Sequence, residues 1–167
     1  MALAYNAHEI YQIGIGIEEN GKKFYDTACL LSDDEDAQKL FSELAAWENT
    51  HITLFTELQN ALAEHDGKTE LFDPDQETLK YLKAAADSHV FVQSIDVEKL
   101  VRDCDNPIDI LKLALRFEKD SVVVYSTMKD IVPETMGKSR IDRLIREEIM
   151  HVSFITDKVK TLSGDEL

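Results

Sequence analysis

Apolar side chains recur at helical spacing along four long segments of this chain. Ile10, Ile17 and Phe24 mark one face of the first segment, and Leu44 and Phe55 mark a face of the second. Residues three, four and seven places apart share one side of an α-helix, so this period predicts amphipathic helices rather than strands. We predict four long helices, over about 7–31, 33–65, 107–132 and 138–162.

Several predicted helix starts carry capping residues. Asn6 with Glu9, and Ser32 with Glu35, have the spacing of a capping box, in which two side chains satisfy the first free backbone N–H groups. Asn106–Pro107 is typical of a helix start, because proline fits the first helical position. These signals set the predicted starts of the first, second and third long helices.

The connection between the second and third long helices spans about 66–106 and has helical pattern of its own. Asp73–Pro74 favours a helix that continues to Ala86, and the string SIDVEKLVRDC favours a shorter one. With 167 residues, the chain has the length of one ordinary domain. We therefore expect one all-α domain over 1–167, built from four long helices and a helical crossover.

Charge and cysteine content narrow the classes of function. The chain has 18 Lys and Arg against 33 Asp and Glu, and its formal charge of −15 disfavours nucleic acid and anionic membrane surfaces as partners. Its two cysteines, Cys29 and Cys104, form no CxxC motif and predict neither a disulfide framework nor a thiolate zinc site. No stretch has the length of an apolar membrane span, and MALAYNAHEI lacks the pattern of a signal peptide. A cytoplasmic location is expected.

The sequence contains an internal repeat with a constant offset of 100 residues. The repeated residues are Glu18, Tyr25, Glu48 and His51, which recur as Glu118, Tyr125, Glu148 and His151. Ile10 with Ile110, and Leu44 with Leu144, keep the same offset. The chain therefore resembles two related helix pairs.

Each half supplies one Glu from its first helix and a Glu-x-x-His pair from its second. Side chains three residues apart project from the same side of a helix, so Glu48 and His51 can reach one point. Antiparallel packing of the two halves would direct four carboxylates and two imidazoles into the centre of a bundle, which is the ligand set of bundle-core di-iron and di-manganese sites. Four bare carboxylates would repel one another there, whereas two divalent ions cancel their charge.

We predict a dinuclear metal site with six ligands: Glu18, Glu48, His51, Glu118, Glu148 and His151. Oxygen and imidazole ligands without thiolates suit two iron or two manganese ions, with zinc as a possible occupant. By the geometry of such sites Glu48 and Glu148 bridge the two ions. Glu18 and Glu118 then each serve one ion, as do His51 and His151.

The strings IEENGKKFYDTA, LAAWENTH, ALRFEKDSVVVY and IREEIMH resemble the four helices of the rubrerythrin-type branch of the ferritin-like di-iron carboxylate proteins. The resemblance covers nearly the whole chain, and it implies a ferritin-like four-helix bundle with a long crossover between the second and third helices. It also implies that the six ligands are the catalytic residues. A reduced di-iron centre of this type reacts with peroxide or oxygen.

This chain departs from that family pattern in two places. Full-length rubrerythrins carry a rubredoxin-like domain with four cysteines, which is missing from these residues, so electrons are expected from an external donor protein. Peroxidase-type members have an extra glutamate near the third-helix ligand, whereas Ala114, Leu115, Ser121 and Val122 surround Glu118 here. We expect a di-iron oxidoreductase; an iron-binding or iron-buffering protein without turnover is the alternative, and a metal-free helical interaction module is a third.

Residues near the ligands leave further alternatives open. Tyr25 and Tyr125 can hydrogen-bond a ligand carboxylate, or they can be aromatic core residues with a polar tip. Gly14 and Gly21 flank Glu18 by one turn and can make room for metals, for small molecules or for a neighbouring helix. Two such helix pairs can also exchange between chains, and a homodimer is expected.

Overall fold

The computed structural model describes residues 7–63, 71, 73, 77–88 and 96–164, and these residues contain helices and no strand. The six α-helices are α1 (Ala7–Leu31), α2 (Glu35–Ala63), α3 (Glu77–Ser88), α4 (Val97–Arg102), α5 (Pro107–Ile131) and α6 (Lys138–Ser163). A 3-10 turn, Glu134–Met136, joins α5 to α6. The predicted all-α class is confirmed, and α1, α5 and α6 have the predicted bounds to within one residue. None of the described helices is both long and apolar enough to cross a membrane.

The start of α2 differs from the predicted capping box. Asp34 Oδ2 accepts a hydrogen bond from the backbone N–H of Ala37 at 2.8 Å, which is N-cap geometry. The Ser32 hydroxyl donates instead to the Ala28 carbonyl at 2.7 Å, at the end of α1. The predicted Ser32–Glu35 box was wrong because Ser32 still belongs to the last turn of the preceding helix, and a carboxylate closer to α2 satisfies its N–H groups.

The start of α5 follows its sequence signal. Asn106 Oδ1 accepts from the Asp109 N–H at 3.0 Å, with proline in the first turn, so the predicted start of α5 is confirmed. Asp96 caps α4 in the same way through Lys99, at 3.0 Å. The predicted Asn6–Glu9 box includes a residue that lies outside the described part of the chain.

The two short helices of the crossover lie against the long ones. α3 packs on α5, and α4 packs on α1. Asp73 Oδ2 accepts from the backbone N–H of Leu79 at 2.7 Å, so the aspartate of the predicted Asp73–Pro74 start does hold the first turn of α3. Within the predicted crossover of about 66–106, residues 66–70, 72, 74–76 and 89–95 lie outside the described part of the chain.

The buried apolar side chains form two separate cores. The first, here the Tyr11 core, includes Tyr11, Phe55, Tyr125, Met128 and Leu144. The second, here the Phe24 core, includes Phe24, Phe41, Leu44, Leu111 and Ile155. Each long helix contributes to both cores, and its predicted metal ligands occur between the two contributions. The polar cluster is therefore enclosed by apolar packing on two sides.

The order of these contributions gives the direction of each helix. Going from its N-terminus, α1 contributes first to the Tyr11 core and then to the Phe24 core, and α2 does so in the reverse order. α5 also runs from the Phe24 core to the Tyr11 core, and α6 runs from the Tyr11 core to the Phe24 core. The packed pairs α1–α2 and α5–α6 are thus antiparallel.

Residues related by the offset of 100 lie in opposite cores. The pairs are Ile10 with Ile110, Tyr25 with Tyr125, and Leu44 with Leu144. An exchange of the two ends is what a two-fold relation between the halves produces. The repeat in the sequence therefore corresponds to two inverted helix pairs in the structure.

Gly14 is required by the close approach of α1 and α2. A Cβ at this position would lie 2.6 Å from the nearest ring atom of Phe55. That ring is fully buried and is flanked by the rings of Tyr11 and Tyr125, with centroids at 6.3 and 5.2 Å. The predicted role of Gly14 in helix packing is thus the one that the structure supports, since the ring has no free space in which to move.

Gly14→Ala is expected to destabilise the fold by about 1–3 kcal/mol, because overpacking outweighs the gain in helix propensity. Gly16→Ala is the matched control, since a Cβ on Gly16 would meet nothing within 4 Å. This control should stabilise the same helix by up to about 1 kcal/mol. Urea unfolding followed by circular dichroism measures both changes; equal effects of the two substitutions would contradict the packing role.

Candidate metal centre

The six predicted ligands lie together inside the protein. Glu18 comes from α1, Glu48 and His51 from α2, Glu118 from α5, and Glu148 with His151 from α6. Each of them is at most 5% exposed. Carboxylates are almost never buried to this degree without a partner. The helical spacing and the antiparallel directions of the helices thus bring all six residues to one place, as the sequence predicts.

Three overlapping groups of ligand atoms are close enough to hold a metal ion. In each group the candidate atoms all lie within 4.8 Å of one another. The groups are Glu18, Glu48 and His51; Glu48, Glu118 and His151; and His51, Glu148 and His151. Glu48 belongs to two of these groups, one with Glu18 and His51 and the other with Glu118 and His151. A carboxylate that bridges two ions is expected to have this position. Glu148 likewise adjoins both histidines, at 2.8 Å from His51 Nδ1 and 3.4 Å from His151 Nδ1.

Three buried atoms of this cluster have no hydrogen-bond partner among the described residues: His51 Nδ1, His151 Nδ1 and Glu148 Oε1. The short approach of His51 Nδ1 to Glu148 Oε1 lacks hydrogen-bonding geometry. A buried polar atom without a partner costs about 1–3 kcal/mol, so such atoms are rare in folded proteins. A cation would accept a lone pair from each of the three. The donor set therefore fits a bound metal ion.

Burial and mutual repulsion hold protons on two of the carboxylates when no cation is bound. Burial, together with the charges of Glu18 and Glu118, raises the pKa of Glu48 well above its ordinary 4.5. Burial and the charge of Glu148 raise the pKa of Glu118 to about 8. Both side chains thus keep a proton near neutral pH in the absence of metal.

The histidines hold protons for the opposite reason. Burial lowers the pKa of His51, but the adjoining carboxylates Glu148 and Glu18 outweigh burial and raise it to about 11. At His151, burial again lowers the pKa, but Glu118 and Glu148 outweigh it and raise the pKa to about 9. The same two imidazoles lower the pKa of Glu148 against the effect of its burial. Protons thus occupy the cluster where a metal would supply positive charge.

Tyr25 and Tyr125 each donate a hydrogen bond to a predicted ligand carboxylate, which was one of the two alternatives predicted for them. The Tyr25 hydroxyl donates to Glu118 Oε1 at 2.6 Å, and Tyr125 donates to Glu18 Oε1. Each tyrosine therefore serves the glutamate of the opposite half, because a side chain seven residues along its own helix is two turns away. Both tyrosines are also fully packed core residues, at 1% and 0% exposed.

Gly21 makes room for a ligand carboxylate. A Cβ on Gly21 would lie 3.1 Å from Glu48 Oε2 and 3.3 Å from its Cδ, which is tighter than ordinary van der Waals contact. The residue 100 positions later is Ser121, which is also small and buried. Small residues one turn after Glu18 and Glu118 thus admit the side chains of the neighbouring helices.

The sequence did not reveal two residues beside the histidines. The Trp47 ring lies nearly parallel to the His151 ring, with centroids 4.6 Å apart and planes at 10°. Glu147 Oε2 lies 3.5 Å from His51 Nε2. Both residues border a pocket of ≈ 420 Å³ next to the two histidines. The position of Glu147 directly before a ligand was the only available signal, and it is a weak one.

The remaining histidines are separate from this site where they can be located. His8 is exposed on α1, consistent with its exclusion from the predicted ligand set. His65 and His89, which were also excluded, lie outside the described residues. The metal groups found in the described part of the chain use only the six predicted ligands.

In comparisons with known proteins, no family model, no curated protein and no solved structure matched this chain. Its chemistry must therefore be inferred from its own residues. The buried Glu and His groups can hold a metal ion, and their oxygen and nitrogen donors suit divalent first-row metals rather than thiolate-bound ones.

Stabilisation by metal should grow with pH. The stability that Glu118 and His151 contribute through their raised pKa values is present below their ordinary values of 4.5 and 6.5 and is lost as the pH rises through about 8 and about 9. Metal displaces these protons, so the gain in Tm on adding Mn²⁺ to chelator-treated protein should increase from about pH 6 to about pH 8. Thermal unfolding measures the gain; a gain of equal size at both pH values would argue against proton displacement.

Loss of either tyrosine–glutamate hydrogen bond between the two halves should weaken metal binding. Tyr25→Phe and Tyr125→Phe are each expected to lower Mn²⁺ affinity by roughly tenfold or more, because the oriented carboxylate loses its support. Tyr11→Phe is the matched control, since the hydroxyl of this fully buried tyrosine donates to the Met136 carbonyl instead of a carboxylate. Isothermal titration calorimetry compares the three; an equal loss in Tyr11→Phe would assign the effect to packing alone.

Proposed function

We propose that this protein is a di-iron carboxylate oxidoreductase of rubrerythrin type, which reduces peroxide or oxygen with electrons from an external donor. The observation that carries the proposal is the enclosed set of four carboxylates and two imidazoles with three unpartnered buried atoms. Such a set is expensive to bury without cations.

A ferritin-like four-helix bundle is the architecture that we propose with this function. Its support is the antiparallel order of α1 with α2 and of α5 with α6, together with the hydrogen bonds that join opposite halves at the site. A crossover that carries α3 and α4 between α2 and α5 agrees with the long second connection of that fold. Bundle-core sites of this kind draw one Glu from two helices and Glu-x-x-His from the other two.

Two iron ions are the proposed cofactor, with manganese or zinc as possible occupants. Glu18, Glu48 and His51 would hold one ion, and Glu48, Glu118 and His151 the other, with Glu148 shared beside both histidines. When bound, two ferrous ions supply the two electrons that, with two protons, convert hydrogen peroxide to two water molecules. The hydroxyls of Tyr25 and Tyr125 fix two of the ligand carboxylates.

The protein around the site controls access to it. The Tyr11 and Phe24 cores exclude water from two sides. The ≈ 420 Å³ pocket lined by Trp47, Met150 and Phe154 reaches both histidines. We propose that a small oxidant enters here, since peroxide and oxygen are far smaller than this space. The two cysteines, Cys29 and Cys104, are unpaired and form no iron site of their own, so the electrons are assigned to another protein.

Rapid mixing of anaerobic diferrous protein with hydrogen peroxide tests the proposal. Ferric absorbance should develop roughly tenfold faster or more than with free ferrous ion, and one peroxide should be consumed per pair of ferrous ions. Glu48→Ala and His51→Ala should remove this advantage and one bound ion. Glu43→Ala, an exposed carboxylate on the same helix, should retain both. Oxidation no faster than that of iron in buffer would refute the enzymatic function.

An iron-buffering protein without turnover is the second candidate. It is favoured by the surroundings of Glu118, where Ala114 and Ser121 are small and buried and bring no additional carboxylate. The same mixing experiment separates the two functions. Slow oxidation, together with full and reversible release of ferrous ion to a chelator, would favour buffering over peroxide reduction.

A homodimer is proposed as the assembly, as expected for helix pairs that can exchange between chains. Nucleic acid and membrane are not proposed as partners, because the formal charge of −15 repels phosphate groups. Light scattering coupled to gel filtration measures the mass of the assembly. A mass near the 19.0 kDa of one chain would refute the dimer and leave the metal site unaffected.

A further inference from the structure

The two halves of the candidate site differ at one pair of equivalent positions. Glu147 on α6 immediately precedes a predicted ligand, and the residue 100 positions earlier, on α2, is Trp47. Glu147 faces His51, whereas Trp47 faces His151. A carboxylate accepts hydrogen bonds, but an indole has only an N–H donor. The two histidines therefore have chemically different neighbours on the side that faces the pocket.

Glu147 connects His51 to the surface. Its Oε2 lies 3.5 Å from His51 Nε2, and its Oε1 accepts a hydrogen bond from Arg143 Nε at 2.9 Å. Its side chain is 23% exposed, whereas that of Arg143 is 76% exposed. A distance of 3.5 Å is beyond the usual 2.7–3.2 Å of an N–H···O bond, and polar contacts at such sites commonly shorten when the ligand binds. A movement of a few tenths of an ångström would close it.

The other ring nitrogen of His51 is directed into the ligand cluster. Nδ1 lies 2.8 Å from Glu148 Oε1 and 3.4 Å from Glu18 Oε2, without a hydrogen-bond partner. A neutral imidazole that gives the lone pair of Nδ1 to a metal must carry its proton on Nε2. The carboxylate that faces this N–H is Glu147. A carboxylate in this place fixes the tautomer and the ring orientation, and it makes the opposite nitrogen a stronger ligand.

His151 is held by stacking instead. Its ring lies between Trp47, with centroids 4.6 Å apart and planes at 10°, and His51, at 5.2 Å and 19°. Stacking fixes the plane of the ring but accepts no hydrogen bond from its N–H group. In the structure, His51 thus has a carboxylate that can accept such a hydrogen bond, whereas His151 is oriented by stacking alone.

On this basis we propose that Glu147 is a positioning residue for His51, and that it makes the two metal positions unequal. The proposal rests on the dinuclear site of the proposed function. The position beside His51 fills first and binds roughly ten- to a hundredfold more tightly than the position beside His151, which is the effect that such outer hydrogen bonds have on metal sites.

Titration of chelator-treated protein with Co²⁺, followed by calorimetry and visible absorbance, tests the proposal. The unsubstituted protein should bind two ions in two resolved steps. Glu147→Ala should weaken the tighter step by roughly tenfold or more and bring the two affinities together. Glu147→Gln, whose amide oxygen still accepts a hydrogen bond, should retain part of the difference. Glu57→Ala is the matched control, because it breaks a similar pair with Arg140 at a distance from both histidines and should leave both steps unchanged.

A nuclear magnetic resonance measurement on histidine-labelled, zinc-loaded protein provides a readout that packing alone does not change. His51 should coordinate through Nδ1, and its Nε2–H should exchange slowly with water and become fast in Glu147→Ala. Coordination through Nε2, or an equal separation of the two steps with and without Glu147, would overturn the proposal. Two ions of equal affinity in the unsubstituted protein would overturn it and leave the proposed function standing, whereas no bound ion would overturn both.

Discussion

The central constraint on this protein is the placement of four carboxylates and two imidazoles in space that apolar packing closes to water. Each of the six side chains is at most 5% exposed. Charged groups lose several kcal/mol each on leaving water, even after relaxation of the surroundings. The cluster must therefore carry compensating positive charge in every state. Protons on Glu48, Glu118 and the histidines provide it in the metal-free state, and divalent cations are the alternative.

The two apolar cores make this arrangement possible. The Tyr11 core and the Phe24 core flank the ligands, and all four long helices contribute to both. Rigid packing on each side fixes the depth at which each glutamate lies, and the tyrosine hydroxyls transmit that rigidity to Glu18 and Glu118 across the interface between the halves.

The sequence predicted the features of this protein that depend on helical periodicity. It did not predict the contacts between side chains of different helices. Helical spacing and the offset of 100 residues were sufficient to predict the ends of α1, α5 and α6 and the six clustered side chains. The N-cap of α2 was wrong because Ser32 and Asp34 compete locally, and propensity alone does not rank them. The crossed tyrosine partners, the direction of each Nδ1, and the contacts of Trp47 and Glu147 depend on the packing of helices far apart in sequence.

The inverted relation between the halves has an evolutionary consequence. Each helix pair carries half of the ligands and a tyrosine that reaches into the other half, so a single hairpin of this kind is complementary to its own copy. A protein with only one such hairpin would complete the site only by self-association, and the two halves of its site would then necessarily have the same sequence. Fusion into one chain removes that requirement. Trp47 and Glu147 are a pair of equivalent positions at which the two halves of the present chain differ, as only a fused chain allows.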